Sequence, residues 1–194
     1  MKPLILASQS PRRKEILSYF KIPFIQVSPS FDEDAVEPFS DPIEFAHYLS
    51  SEKGLSVKAN YPDSVIISCD TIVYFNGTYF AKPASREQAF TILKTLSGHT
   101  HDVITSITVL KGDKRVQDYG LTKVIFNSLS DKEINAFLDF NIYADKAAGY
   151  TPQGCGSLLV KSIDGCYYNV LGLPVNPLNR LLTPFGYNLW HIDS

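Results

Sequence analysis

The densest cluster of side chains able to do chemistry lies near the start of the chain, in Ser8-Gln9-Ser10-Pro11-Arg12-Arg13. Pro11 suits a first helical position, where its missing N–H leaves nothing unpaired, and Ser10 before it is a capping residue. A helix N-terminus carries the positive end of the macrodipole, so two adjacent arginines are disfavoured there unless something anionic compensates. Two hydroxyls, free backbone donors and two guanidinium groups at one strand-to-helix turn suit a phosphate group. The competing reading has both arginines solvated or paired with surface carboxylates.

Other candidates lie further along. Asp70 interrupts the β-branched run Val65 to Ser68, which resumes as Thr71 to Phe75. A carboxylate at such a strand end can activate water or hold a metal, or it can simply cap a turn. Lys53 and Lys82 read singly as surface lysines, and Phe31-Asp32-Glu33-Asp34 reads either as a Mg²⁺ ligand or as a solvated loop without calcium-loop spacing. His99 and His101 would share a strand face, with no third ligand at zinc spacing. Gly154-Cys155-Gly156-Ser157-Leu158-Leu159 begins like a dinucleotide fingerprint and fails at Leu159, where a third glycine is required. Neither a Walker A loop nor a Gly-x-Ser-x-Gly elbow is present.

The elements that must position these residues follow from periodicity and capping. Leu4 to Ala7 reads as a buried strand, followed by a helix from Pro11 that presents Ile16, Leu17 and Phe20, then a weaker strand from Phe24 to Ser28. Asp41-Pro42-Ile43-Glu44 starts a long helix toward Ala59, weakened by Gly54. Asn76-Gly77 joins Thr71–Phe75 to Thr78–Ala81 in a tight hairpin. Ser85-Arg86-Glu87-Gln88 opens a helix with a capping box that turns Ala89, Phe90, Leu93 and Leu96 inward and stops at Gly98. Val103–Leu110 and Arg115–Phe126 form an antiparallel pair, and Ser130 caps a helix running to Phe137 or Leu138. A glycine-rich turn at 154–156, a strand from Leu158 to Ile163, a helix over Val175–Leu182 and a short strand from Asn188 to Ile192 complete the chain. One early β-α-β stretch with later hairpins predicts an α/β protein with a mixed, twisted sheet flanked by helices.

Composition narrows the function classes. The chain has 194 residues, 44% of them hydrophobic and 20% charged, so a globular core forms without disulfide or metal and disorder is excluded. A net charge of −2 and a pI of about 6.1 argue against nucleic acid as a partner, so any bound anion needs a local cationic cluster. Three cysteines without C-x-x-C spacing fit a reducing, cytoplasmic setting. The apolar stretch before Ser8 is too short for a signal-peptide core, and no run approaches the roughly 18 apolar residues of a membrane span. The expectation is one domain over 1–194, divided into two lobes around a cleft.

Taken together, the blocks Leu4-Ile5-Leu6-Ala7-Ser8-Gln9-Ser10-Pro11-Arg12-Arg13, Lys53, Cys69-Asp70-Thr71 with Lys82-Pro83, Leu96-Ser97-Gly98 through His101 and Thr105, Asp145-Lys146-Ala147 through Gln153-Gly154, and Gly172-Leu173-Pro174 resemble the Maf family of nucleoside triphosphate pyrophosphatases, once described as septum-formation proteins. The resemblance covers almost the whole chain and implies an elongated α/β fold with a central cleft. The implied reaction is hydrolysis of a nucleoside triphosphate to the monophosphate and pyrophosphate, dependent on a divalent cation, Mg²⁺ or Mn²⁺, in a homodimer. By position, Asp70 matches the family's proton acceptor, and Ser8, Arg13, Glu33, Lys53 and Lys82 match its polar cleft residues. Arg12, Thr71 and Gln153 match the positions tied to substrate choice. Thr and Gln mark the dTTP/UTP branch, against Gln and Glu in the 7-methyl-GTP branch, with modified pyrimidine triphosphates left open. Thr151-Pro152 replaces the family's usual Gly-Ile, and proline beside Gln153 restricts the backbone and removes a donor.

In the mechanism this implies, Asp70, with Glu33, holds the metal, while Asp70 also takes a proton from water attacking the α-phosphorus. The cations Arg12, Arg13, Lys53 and Lys82 offset the leaving pyrophosphate. The amide of Gln153 can both donate and accept, which suits the N3–H and carbonyl of uracil or thymine. Two other classes stay open: a nucleotide-binding regulator of cell division with little turnover, and a single-stranded nucleic-acid binder stacking bases on Tyr74, Phe75, Tyr79 and Phe80.

Overall fold

Strand Leu4–Ala7 (β1) is buried along its whole length, which is why it is apolar on both faces. In the computed structural model, which describes residues 3–140, 143–144 and 146–190, it pairs in parallel with Phe24–Val27 (β2) and with the first part of Ile66–Phe75 (β3). The remaining pairings are antiparallel. β3 bonds to Thr78–Phe80 (β4) and to Thr100–Lys111 (β5), β5 to Lys114–Phe126 (β6), and β6 to Val160–Asp164 (β7). The result is a seven-stranded mixed sheet in the order β2-β1-β3-β5-β6-β7, with β4 hung on β3. Asn76 and Gly77 turn the β3–β4 hairpin with φ of 48° and 81°, the sign that an Asn-Gly turn supplies.

Helices cover both faces. Pro11–Ser18 (α1) starts on the Ser10 hydroxyl, which accepts from the Arg13 N–H, and Pro42–Lys58 (α2) starts on the Asp41 carboxylate, which accepts from Ile43 and Glu44. In Arg86–Leu96 (α3) Ser85 caps Gln88 N–H, but the Gln88 side chain reaches back to Ala84, so the expected box is only half closed. Asp131–Leu138 (α4) has the complete box. Tyr167–Val170 (α5) and Val175–Leu182 (α6) follow, and no described helix is long and apolar enough to cross a membrane.

Strand alternation divides the core. On one face Leu4, Leu6, Ile67, Cys69, Ile107 and Val109 pack against α1 and α6, and further along Val73, Val103, Val124 and Phe126 pack against α3 and α4. On the other face, α2 lies over Ile66 and Leu110 at one end and over Ile72 and Ile104 at the other. Gly54, read from sequence as a weakness of α2, is what lets the helix close on the sheet. A Cβ there would sit 2.6 Å from Ser68 Oγ and 2.8 Å from a Leu110 methyl.

Three sequence expectations are corrected. α1 ends at Ser18, so Phe20 packs on the core from beyond the helix. Residues 154–158 form a short 3₁₀ helix, which delays the last strand to Val160. No strand begins at Asn188: Asn179 Oδ1 accepts from Leu189 N–H and Asn188 Oδ1 from Trp190 N–H, so side chains take the donors a sheet ladder would need. Residues 191 and 192 of that predicted strand, and Asp145, lie outside the described residues.

Candidate active site

A gap in the sheet edge creates the site. β1 covers β3 from Ile66 to Ser68 and β4 covers it from Val73 to Phe75, so Cys69 to Ile72 have no strand partner on that side. A cleft of about 840 Å³ opens there. Successive side chains of a strand point to opposite faces, yet both Asp70 and Thr71 reach this cleft because the edge between them is open.

On the α2 face the cleft carries a chain of charges. Lys82 Nζ lies 2.7 Å from Glu33 Oε1, Glu33 also pairs with Lys53, and Lys53 Nζ lies 2.5 Å from Asp70 Oδ1. Asp70 is 5% exposed. Burial pushes the Glu33 carboxyl up, but the Lys53 and Lys82 ammoniums outweigh it and hold the carboxyl down at about 2. Burial works against the charged form of Lys53, yet Asp70 and Glu33 together raise its pKa above the ordinary value, against a smaller opposing push from Arg13. Lys82, Glu33, Lys53 and Asp70 therefore form one continuous chain of ion pairs. Behind Asp70, Ser106 is hydrogen-bonded to His47 Nδ1 at 2.7 Å and to Ser50 at 2.8 Å, so the strip of sheet beneath α2 is polar and closed by its own hydroxyls.

On the opposite face the sheet offers neutral groups, and the Arg13 guanidinium is bonded to them. Arg13 donates through Nε to the Gly172 carbonyl (2.8 Å), through one terminal nitrogen to the Cys69 carbonyl (2.8 Å) and Ser8 Oγ (3.3 Å), and through the other to Thr71 Oγ1 (2.9 Å). The charge that looked out of place at a helix N-terminus is thus met by carbonyls of the open strand edge and of the segment after α5. Gly172 is required in this arrangement. Its φ is 96°, and a Cβ would lie 3.1 Å from Thr71 Oγ1 and 3.2 Å from Arg13 Nε.

The structure brings Ser8, Arg12, Arg13, Glu33, Lys53, Asp70, Thr71 and Lys82 to one cleft. Gln153 is half-buried but does not line it, whereas Tyr150 and Thr151 just before it do. Gly172 enters the sequence analysis only within a family-like block and Tyr150 only inside another, neither with a role, because a glycine and a core tyrosine carry no local chemical signal. Tyr150 instead accepts or donates a 2.6 Å bond with His101 Nε2, and His101 is buried against Phe126 rather than disposed to bind metal. The aromatic hairpin is packed on itself and on α2, with ring centroids 5.0 Å apart for Tyr74–Tyr79 and 5.4 Å for Phe45–Tyr79. Among the described residues, no three His, Cys, Asp or Glu side chains converge to hold a metal by themselves.

The Maf-like protein family matches residues 3–185. A Chlamydia caviae protein named dTTP/UTP pyrophosphatase is 44% identical over 192 residues, 98% of each chain. A Pyrococcus furiosus protein of the same name is 42% identical over 192 residues, covering 99% of this chain and all of that one. A Chlamydia muridarum protein named nucleoside triphosphate pyrophosphatase is 38% identical over 188 residues, 96% of each chain. Agreement along nearly the whole length, through the segments that build the open strand edge and the charges around it, shows that this chain belongs to the Maf family.

Proposed function

We propose that this protein hydrolyses dTTP and UTP to the nucleoside monophosphate and pyrophosphate with a divalent cation. The observation that carries the reading is the ion-paired chain Lys82–Glu33–Lys53–Asp70 in the cleft, and relatives at 38–44% identity are named for this class of activity. Water attacks the α-phosphorus, its proton passes to Asp70, and the bond from the α-phosphorus to the bridging oxygen of the leaving pyrophosphate breaks. Lys53 holds Asp70 through Oδ1, which leaves the other carboxylate oxygen for the proton. Lys82, Lys53 and Arg12 offset the charge of the leaving group. Ser8 and Arg13 shape the seat, and Arg13 does so while bonded to four protein acceptors.

The donor set fits a metal shared with the substrate. Glu33 and Asp70 already place one cationic group, the Lys53 ammonium, between them, and Mg²⁺ sites on phosphate substrates are built from one or two carboxylates plus phosphate oxygens. The cleft is lined by four cationic and five acidic side chains, so a substrate bringing about four negative charges needs further positive charge. Asp70 and Glu33 would hold Mg²⁺ or Mn²⁺, which supplies charge neutralisation at the phosphate oxygens when bound. Base choice is assigned to Arg12 and Thr71 on the cleft wall and to Gln153 through the Tyr150–Gln153 segment.

The test is to incubate the protein with Mg²⁺ and dTTP, UTP, CTP, GTP or 7-methyl-GTP and measure pyrophosphate and monophosphate together, with Asp70→Asn as control. Pyrophosphate from dTTP and UTP that disappears in the variant is the expected result. Turnover of 7-methyl-GTP instead would transfer the chain to the other branch of base choice, and no turnover of any substrate would overturn the enzymatic reading.

A further inference from the structure

One run of hydrogen bonds on the cleft wall can point in only one direction. Thr105 Oγ1 donates to the Asn169 carbonyl at 2.9 Å, and a carbonyl oxygen only accepts. The single Thr105 hydrogen is then in use, so in the 3.0 Å contact between the two hydroxyls Thr71 is the donor and Thr105 the acceptor. Arg13 occupies one Thr71 lone pair from 2.9 Å. What Thr71 can still offer the cleft is one lone pair and no hydrogen.

The relay is built to stay this way. Thr105 and Asn169 are both 0% exposed, and the Asn169 amide is pinned to Val103 O at 2.8 Å and Thr122 Oγ1 at 2.9 Å. No water can reach Thr105 to reverse it. Phosphate oxygens are acceptors, so the remaining lone pair of Thr71 has no bond to make with them and can pair only with a donor, which in the nucleoside part of the substrate means a hydroxyl or an N–H. A sugar hydroxyl can turn to suit either sense and gains no selection from a fixed acceptor. A base edge cannot turn: uracil and thymine present N3–H, while cytosine presents an unprotonated N3.

Resting on the pyrimidine triphosphate reading above, we infer that Thr105 is a specificity-positioning residue: by keeping Thr71 an acceptor, it selects bases that carry N3–H over cytosine. Thr105 does not line the cleft itself. It acts through Thr71.

The experiment compares kcat and KM for UTP and CTP in the wild type, Thr105→Val and Thr105→Ser, and adds 3-methyl-UTP as a wild-type substrate. Thr105→Val frees the Thr71 hydrogen to meet cytosine N3, so the UTP-to-CTP ratio of kcat/KM is expected to fall about tenfold, mainly through a lower KM for CTP. Thr105→Ser keeps the hydroxyl and is expected to keep the ratio. 3-Methyl-UTP, which lacks the N–H, is expected to be at least about tenfold poorer than UTP. A merely structural Thr105 would lower both substrates together, and an unchanged ratio in folded Thr105→Val overturns the inference, as does 3-methyl-UTP turned over as well as UTP. If Thr105→Val does not fold, Thr105→Ala and the 3-methyl-UTP comparison decide it. Absence of pyrophosphate from UTP with the wild type is a separate result, which overturns the proposed activity itself.

Discussion

β3 and β5 carry a polar belt on each face at the same level of the sheet, and the two belts are made of different chemistry. Beneath α2 the belt is ionic at its cleft end, with Asp70 tied to Lys53 and through it to Glu33 and Lys82, and is closed behind by Ser50, Ser106, Thr108 and His47. Across the sheet it is a relay of hydroxyls, Thr71 to Thr105 to the Asn169 carbonyl, fed by the Arg13 guanidinium. Each belt interrupts the hydrophobic core of its face, which is costly unless every buried polar group has a partner. Two neighbouring residues thereby have unrelated duties. Asp70 and Thr71 are adjacent in sequence but the pleat sends them to opposite faces, and the open edge of β3 gives both access to one cleft.

The comparison is broken most severely by Asp70→Asn, which removes the charge from one belt and leaves the other intact. On the proposed mechanism its turnover falls about 10²–10⁴-fold, measured as pyrophosphate release, while the UTP-to-CTP preference of any residual activity is retained. Lys53→Met leaves two carboxylates facing each other without the ammonium between them. It is expected to cost about 3 kcal/mol in urea unfolding, with Mg²⁺ recovering more stability in the variant than in the wild type because the ion takes over the cationic position. Gly172→Ala attacks the neutral belt: its positive φ and the close approach of Arg13 and Thr71 predict a loss of about 2 kcal/mol. That variant should lose base discrimination as well as stability, and an unchanged UTP-to-CTP ratio would show that Arg13 and Thr71 keep their places without the glycine.

The smallest expected effect is a pH dependence from a residue outside both belts. Burial holds His101 down at about 4, from an ordinary value of 6.5, and its Nδ1 has no partner to receive a second proton. The unfolded chain takes up that proton first, so the contribution of neutral His101 is complete above pH 6.5 and is lost as pH falls toward about 4. At pH 5.5 the loss is about 1 kcal/mol. Thermal unfolding between pH 7 and 5 should show this slope in the wild type and a shallower one in His101→Phe.

Much of the fold was legible locally because caps, turns and apolar periodicity are short-range signals. Ser10, Asp41 and Ser130 each begin the helix their residue types announced, and Asn76-Gly77 turns its hairpin. The predicted C-terminal strand does not form at 188–190 because Asn179, ten residues earlier on α6, holds the Leu189 N–H. In the site, the family resemblance gathered eight of the cleft residues, yet Arg13 looked like a free phosphate ligand until its partners on Cys69, Thr71 and Gly172 were seen. Gln153 is matched to base choice by position, and the structure places it beside Tyr150 and Thr151, which line the cleft.

By itself the sequence determined which residue types were present and their local conformations, because capping, glycine signs and the period of a strand depend only on near neighbours. It placed a carboxylate and a threonine side by side at 70–71 and two lysines and a glutamate elsewhere. Only the tertiary structure decided that Glu33, Lys53, Asp70 and Lys82 form one ion-paired chain, and that the Thr71 hydroxyl is left with a lone pair and no hydrogen. Those outcomes depend on a strand edge left open between β1 and β4 and on a carbonyl delivered from residue 169. Contacts at that separation are set by how whole elements pack.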